Sequence, residues 1–276
     1  MAMVINTNMG AINANRILDA TSREQSVAME RLTSGLRINR AADDAAGLAV
    51  TTGMTTQIKG TDQAIRNAND GISLLQTVDG ATEEIVNMMQ RMRELGVQSL
   101  NGTYSAENRA QMNAEFKQLQ GEINRVAKTT KFNEVAVMNG SNTAVSLHVG
   151  WEKGANNRIT VSMKNFSAAA LNAGSGTVSI GKVSQASAAI AAIDQDLSNI
   201  NTQRAKWGAL QNRLESTISN LSNVNENINA SRSRIQDADF ARESANLART
   251  QVLQQAGMSM LSQANQNSQN VLSLLR

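Results

Sequence analysis

Apolar residues return along most of this chain at intervals of three, four and seven, the spacing that gathers them on one face of a helix. Near the start, Ile12, Leu18, Met29, Leu32 and Leu36 form a thin stripe, with Leu18/Leu32 and Met29/Leu36 in heptad register. Thr7 and Asn8 offer cap oxygens for the helix that carries it. Towards the other end, Leu253, Met260, Val271, Leu274 and Leu275 make a comparably sparse stripe. Such a helix does not hold itself up in water, because helical stability comes mainly from burying an apolar face. The two ends are therefore expected to pair with each other and to leave faces suited to neighbouring copies of the chain.

The pattern changes between these ends. Residues 37–50 (RINRAADDAAGLAV) break the first stripe and read as an irregular connector. A second long helix is expected from about Met54, with Ile65, Ala68, Ile72, Leu75, Val78, Ile85, Met89 and Met92 on one face and a stop at Asn101-Gly102. Ser105 caps a third, whose stripe runs through Met112, Phe116, Leu119, Ile123 and Val126. Between Phe132 and Met163 the period shortens towards two, with turns at Asn139-Gly140 and residues 153–157, so a small antiparallel β region is expected. Residues 167–187 are low in complexity and read as a loop at a distal tip. Ile193, Ile200, Trp207, Leu214, Leu221 and Ile228 then stand seven apart, which predicts a helix from about Ile190 to Ser231 supercoiled against another. Residues 232–239 (RSRIQDAD) interrupt that pattern before the final helix.

The matching breaks imply nesting. The expected fold is mainly α: a long antiparallel helical hairpin, or coiled-coil rod, with a small antiparallel β region at its distal tip. Residues 1–43 and 234–276 would form a terminal helical domain, residues 44–166 and 188–233 a helical body with a β-hairpin, and residues 167–187 a short tip loop. The connectors would meet, with Asp43 or Asp44 near Arg232 or Arg234 of the same or a neighbouring chain, and Arg37 beside them.

Composition sharpens this picture. Of 276 residues, 41% are hydrophobic but only 3% aromatic, and none is proline, which permits long uninterrupted helices and argues against a bulky core. The net charge of +3 comes from 26 basic and 23 acidic residues spread along the chain, without the clustered basic face of a nucleic-acid binder. There is no cysteine, hence no disulfide framework or thiolate chemistry. The first residues lack the basic and apolar regions of a conventional secretory signal. No apolar run approaches the roughly 20 residues that span a bilayer, so membrane insertion is not expected.

Candidate chemistry is sparse. His148 is the only histidine and reads as structural, so a zinc site of paired histidines is excluded and a Ser-His pair is not expected. Gly174-Ser-Gly176 lacks the strand–turn–helix setting of a nucleophile elbow or phosphate loop. Neither cofactor, metal nor catalytic residue is expected.

The segments VINTNMGAINANR, RLTSGLRINRAADDAAGLAV, QRMRELGVQS, QNRLESTISNL, SRSRIQDADFARE, QVLQQAGMSMLSQANQ and QNVLSLLR closely resemble bacterial flagellin. The likeness covers nearly all of residues 3–166 and 190–276, with little between Phe166 and Ile190 where long members carry variable outer domains. The resemblance implies a minimal flagellin: a secreted, extracellular filament subunit for swimming motility that polymerises with itself. It would be exported unfolded by the flagellar type III apparatus with a flagellin chaperone, and would meet the filament cap and hook–filament junction proteins. It implies inner-tube terminal helices that carry the polymerisation residues. It also implies recognition by the host Toll-like receptor for flagellin through Arg91, Leu95 and Glu115. A hook–filament junction protein of the same architecture is the alternative; QRMRELGVQ and the matches at both ends favour flagellin. A flagellin with a protease insert is excluded by the short tip, and a secreted adhesin stays open.

Overall fold

The computed structural model describes residues 7–167, 170–174 and 178–274, and their side chains up to residue 266. The described residues form five long helices, α1 (Met9–Ser34), α2 (Ala45–Leu100), α3 (Ala106–Thr129), α4 (Val183–Gln236) and α5 (Phe240–Leu274). Four short strands join them: β1 (Lys131–Phe132), β2 (Val135–Ala136), β3 (Ala144–His148) and β4 (Arg158–Ser162). Mainly α with a small antiparallel β component is therefore the observed class. The chain divides into two compact units, Gln57–Asn225 and the pair Met1–Thr56 with Glu226–Arg276.

In the unit of residues 57–225 the apolar stripes of α2, α3 and α4 converge on one core. Ala68, Leu75, Val78, Ile85, Met89 and Met92 are sealed from solvent, as are Phe116 and Ile123. The seven-residue series of α4 supplies Ile193, Ile200, Trp207 and Leu214, also fully buried. Trp207 packs edge-on against Phe166 at 6.0 Å and donates through Nε1 to the Ser162 carbonyl at 3.1 Å, so its polar end is satisfied inside the core. A second series on α4, Ala189, Asp196 and Gln203, lies next to the first and is equally covered.

The strands pair as two separate hairpins, β1 with β2 and β3 with β4, the latter in the register Val145↔Val161 and Leu147↔Ile159. Ile159 and Val161 point into the core while Arg158, Thr160 and Ser162 point out, the alternation expected of a half-buried strand. Placement of the β region at a distal tip is corrected. The β3–β4 hairpin lies along the helices: Asn67 of α2 donates to the His148 carbonyl at 2.9 Å, Gln203 of α4 donates to the Ser162 carbonyl at 3.1 Å, and Leu147 sits on Gly71.

The low-complexity stretch is also no free tip loop. Leu171, Ala173 and Ile180 are buried, and α4 begins at Val183 rather than near Ile190. The Asp196 carboxylate accepts from the Ala173 N–H at 2.8 Å and from Asn172 Nδ2 at 3.0 Å, while Gln120 Nε2 donates to the Ala173 carbonyl at 2.7 Å. Ser99 donates to the Ile180 carbonyl at 2.6 Å and Asn113 Oδ1 accepts its N–H at 2.9 Å. Buried backbone without a ladder must find side-chain partners, and the polar positions on three helices supply them.

In the unit of residues 1–56 and 226–276, Asn8 caps α1 by accepting the Ala11 N–H at 3.1 Å, and Gly35 closes it in the left-handed region at φ 72°. The two connectors meet as expected. Leu36 bridges Asp237, the Arg37 N–H donates to the Gln236 carbonyl at 2.7 Å, and the Ala238 N–H donates to the Gly35 carbonyl at 2.9 Å. Both connectors are shorter than the sequence suggests. Helix α2 starts at Ala45, not Met54, because Asp44 Oδ1 accepts the Gly47 N–H at 2.8 Å and caps the first turn. Helix α4 continues through Arg232 and Arg234 to Gln236, and Asp239 then caps α5 by accepting the Ala241 N–H at 3.0 Å.

Candidate interaction surface of the terminal helices

Helices α1 and α5 pack side by side, but the expected stripes do not form the seam. It is built from small and polar residues: Thr21, Ala28, Glu243 and Thr250 are the buried ones, with Leu18, Leu32 and Leu36 half-covered at its margin. Asn8 Nδ2 donates to the Ala264 carbonyl at 3.0 Å, Gly257 admits Leu18, and Arg31 meets Glu243 at 3.1 Å. Small side chains let the helix backbones approach, and the threonine hydroxyls return to their own helix carbonyls. The seam therefore leaves few polar groups unsatisfied while burying little apolar surface.

Many of the larger apolar residues face outward instead. Met9 is 66% exposed, Ile12 53%, Met29 51%, Leu253 48% and Met260 66%. Ile17, Val27, Phe240, Val252 and Met258 add to this surface. The sequence stripe thus splits: its leucines in α1 reach the seam, while its methionines, Ile12 and Leu253 stay largely exposed. Val271, Leu274 and Leu275 lie outside the residues described at side-chain level. A groove of about 440 Å³ opens among Gly10, Ala14, Ile17, Leu253, Gly257 and Met260. A second, of about 330 Å³, runs between Arg23, Glu24 and Val27 of α1 and Glu243, Asn246 and Arg249 of α5. Arg31, which also lines it, carries a buried Nε–H that no acceptor meets.

The connector residues do not pair as expected within the chain. Asp43 Oδ2 accepts its own loop's Asn39 and Arg40 N–H groups at 3.0 and 2.9 Å. Those two bonds, Arg40's first, hold its carboxyl below the usual carboxylate range. Asp44 is the α2 cap, Arg40 pairs with Glu30 at 2.6 Å, and Arg37 donates to the Ile235 carbonyl at 2.6 Å. Arg232 is engaged by Thr55 and Asn229. Among the described residues no ion pair joins Asp43 or Asp44 to Arg232 or Arg234. Each carboxylate is nearer to unbonded N–H groups of its own turn, and a helix start or tight turn leaves such donors open.

On the other unit, Arg91 bonds Glu115 and Glu94, each at 3.0 Å, and all three are exposed. Glu115 first, and then Glu94, raise the Arg91 guanidinium above its ordinary pKa, keeping it charged. Leu95 is corrected: at 2% exposure it belongs to the core and offers no anchor to an outside partner. His148 lies half-buried on β3.

The family model described as "Bacterial flagellin N-terminal helical region" matches residues 5–143, and "Bacterial flagellin C-terminal helical region" matches residues 190–275. The chain belongs to the bacterial flagellin family. The flagellin of Halalkalibacterium halodurans is 46% identical over 274 residues, covering 99% of this chain and all of the relative. Flagellin FlaB1 of Treponema pallidum is 41% identical over 286, with the same coverage of both chains. The match to flagellin D of Vibrio cholerae, 34% identical, spans 376 positions and all of both chains, so that flagellin carries residues the present one lacks. Among solved structures, Bacillus cereus flagellin superposes with TM-score 0.50 at 30% identity over 56% of this flagellin and 88% of that one. A putative flagellar hook-associated protein from Vibrio parahaemolyticus reaches TM-score 0.62 over 71% of this chain and 100% of its own, but at 13% identity it bears on the fold alone. No helix among the described residues is long and apolar enough to cross a membrane.

Proposed function

We propose that this chain is the structural subunit of an extracellular bacterial flagellar filament, the polymer that acts as a propeller in swimming. One observation carries the reading beyond the family likeness: α1 and α5 leave Met9, Ile12, Ile17, Met29, Leu253 and Met260 about half or more exposed, although some of their leucines reach the seam between them. A lone soluble chain has the opposite preference, since exposed apolar area is what a partner surface removes from water. Copies of the same helices are the natural cover, and closed or helical self-association repeats one such contact in every subunit.

In this reading residues 1–43 and 234–276 form the inner tube, residues 44–166 and 188–233 the outer tube, and residues 167–187 stand where longer members carry outer domains. Ile12, Met29, Leu253 and Met260 make the subunit contacts, extended by Val271, Leu274 and Leu275. Arg37, Asp43, Asp44, Arg232 and Arg234 set the angle between the layers. No catalytic role and no cofactor belong to this assignment. The chain would travel with a flagellin chaperone through the flagellar export apparatus and add between cap and hook–filament junction proteins. Arg91 and Glu115 would supply the charged face met by the host Toll-like receptor for flagellin, with Leu95 supporting it from below.

Seeded growth followed by electron microscopy tests the assignment. Wild-type protein should elongate into long filaments, while Leu253→Asp and Met260→Asp should not, with the thermal melt of the rest of the chain unchanged. Failure of the wild type to elongate would overturn the function, and normal filaments from both variants would overturn the surface.

A further inference from the structure

Of the thirteen methionines, Met1 and Met3 lie outside the described residues and Met54 and Met88 are half-buried; the other nine sort by position in the fold. Met89, Met92 and Met138 are fully buried and Met112 and Met163 nearly so, all in the unit of residues 57–225. Met9, Met29, Met258 and Met260 are 66, 51, 54 and 66% exposed, all on α1 and α5. The chain has no cysteine, so no thiol competes for a peroxide, and among the described residues these four thioethers are the most accessible soft nucleophiles. Exposed, unbranched thioethers are the side chains most open to conversion into sulfoxides.

We propose that Met9, Met29, Met258 and Met260 are oxidation sites that make subunit addition sensitive to peroxide and restorable by sulfoxide reduction. The inference rests on the assembly reading above. In the step, the sulfur lone pair attacks one peroxide oxygen and the O–O bond breaks. The departing hydroxide takes the proton from the oxygen newly bound to sulfur and leaves as water. Sulfur loses two electrons and hydrogen peroxide gains them, giving a sulfoxide and one water. The product is polar and chiral, and the reverse reduction is carried out by a pair of reductases, one for each epimer.

The geometry gives the modification its effect. Met260 lines the same groove as Leu253, Ala256 and Gly257. The Thr21 hydroxyl of that groove already donates to the Ile17 carbonyl, which leaves the Asn13 amide as its one side-chain donor. An S=O turned towards a covering subunit would therefore be a buried acceptor without a partner wherever Asn13 does not meet it. Met9 and Met29 place the same liability on α1. The buried methionines escape because peroxide cannot reach them without opening the core. Oxidation therefore strikes the free subunit on the surface it uses for addition, and spares the fold of the rest. Methionine suits such a contact for a second reason: its flexible thioether fits irregular packing that a branched side chain would not.

The test uses the full-length chain and graded hydrogen peroxide. Peptide mass spectrometry should find sulfoxide at residues 9, 29, 258 and 260 before residues 89, 92 and 138. Seeded elongation should fall in step, by about tenfold for each contact that loses its burial, and return after treatment with both reductases. The combined variant Met9→Leu, Met29→Leu, Met258→Leu, Met260→Leu should keep elongating after the same exposure. Met258→Leu with Met260→Leu alone should be partly protected, and it serves if the fourfold variant assembles poorly. Undiminished elongation by chains fully oxidised at the four sites, or equal sensitivity of the leucine variants, overturns the proposal. Early oxidation of the buried methionines overturns it as well. Untreated protein that never elongates from seeds refutes the assembly reading instead, and the order of oxidation is read independently of that result.

Discussion

Gly257 of α5 lies directly under Leu18 of α1: a Cβ at residue 257 would stand 2.9 Å from Leu18 Cδ2. The helices approach here because one of them has no side chain. Alanine needs only a small shift of a flexible leucine end and gains about 1 kcal/mol of helix propensity, so Gly257→Ala should be close to neutral. Gly257→Val and Gly257→Leu should separate α1 from α5. Circular dichroism and hydrogen exchange at residues 9–34 would register the loss, and full protection in Gly257→Leu would contradict this account.

The seam as a whole should be weaker than the core of the other unit. It buries Thr21, Ala28, Glu243 and Thr250, which return little against a backbone ordering cost of about 1–2 kcal/mol per residue. In the unassembled chain, amides of residues 9–34 and 240–266 should exchange far faster than those of residues 74–95 and 193–214. Comparable protection at both would refute this ranking.

Arg91 and Leu95 should behave oppositely. Leu95→Ala removes a buried side chain and should cost about 2–5 kcal/mol of stability. Arg91→Ala breaks exposed pairs worth about 0–1 kcal/mol and should leave the melt nearly unchanged. Receptor signalling by monomer should fall for Arg91→Ala without loss of fold, whereas any fall for Leu95→Ala should track unfolding. Undiminished signalling by Arg91→Ala would remove that residue from the contact.

The Asp43 turn should respond to acid. Its folded carboxyl has a lowered pKa because the Arg40 and Asn39 N–H groups, in that order, bond the charged form. A depressed folded pKa contributes stability above the unfolded value and loses it as pH falls through the folded one. The Asn39 and Arg40 amide resonances should therefore hold steady from neutral pH into the ordinary carboxylate range and move only below it. Asp43→Asn should show no such acid step at these amides, and an identical step in that variant would assign the titration elsewhere.

The sequence by itself determined the elements whose pattern is long and regular. The seven-residue series from Ile193 to Leu214 and the stripe from Ala68 to Met92 specify buried helix faces, because many positions must agree before a face exists. The caps at Asn8 and Ser105 and the meeting of the two connectors were legible for similarly local reasons. Tertiary structure alone decided how the sparse stripes are used. A thin apolar line on α1 fits a partner within the chain or outside it equally well, and Gly257, Thr21 and Thr250 gave the inner place to polar and small residues. It also decided that Leu171, Ala173 and Ile180 belong to the core. Composition sees mostly small residues along that stretch, whereas what fixes the segment is Asp196, Gln120, Asn113 and Ser99, spread along three helices. Such bonds join residues far apart in sequence, and their partners are set by where the helices stand, not by any local spacing.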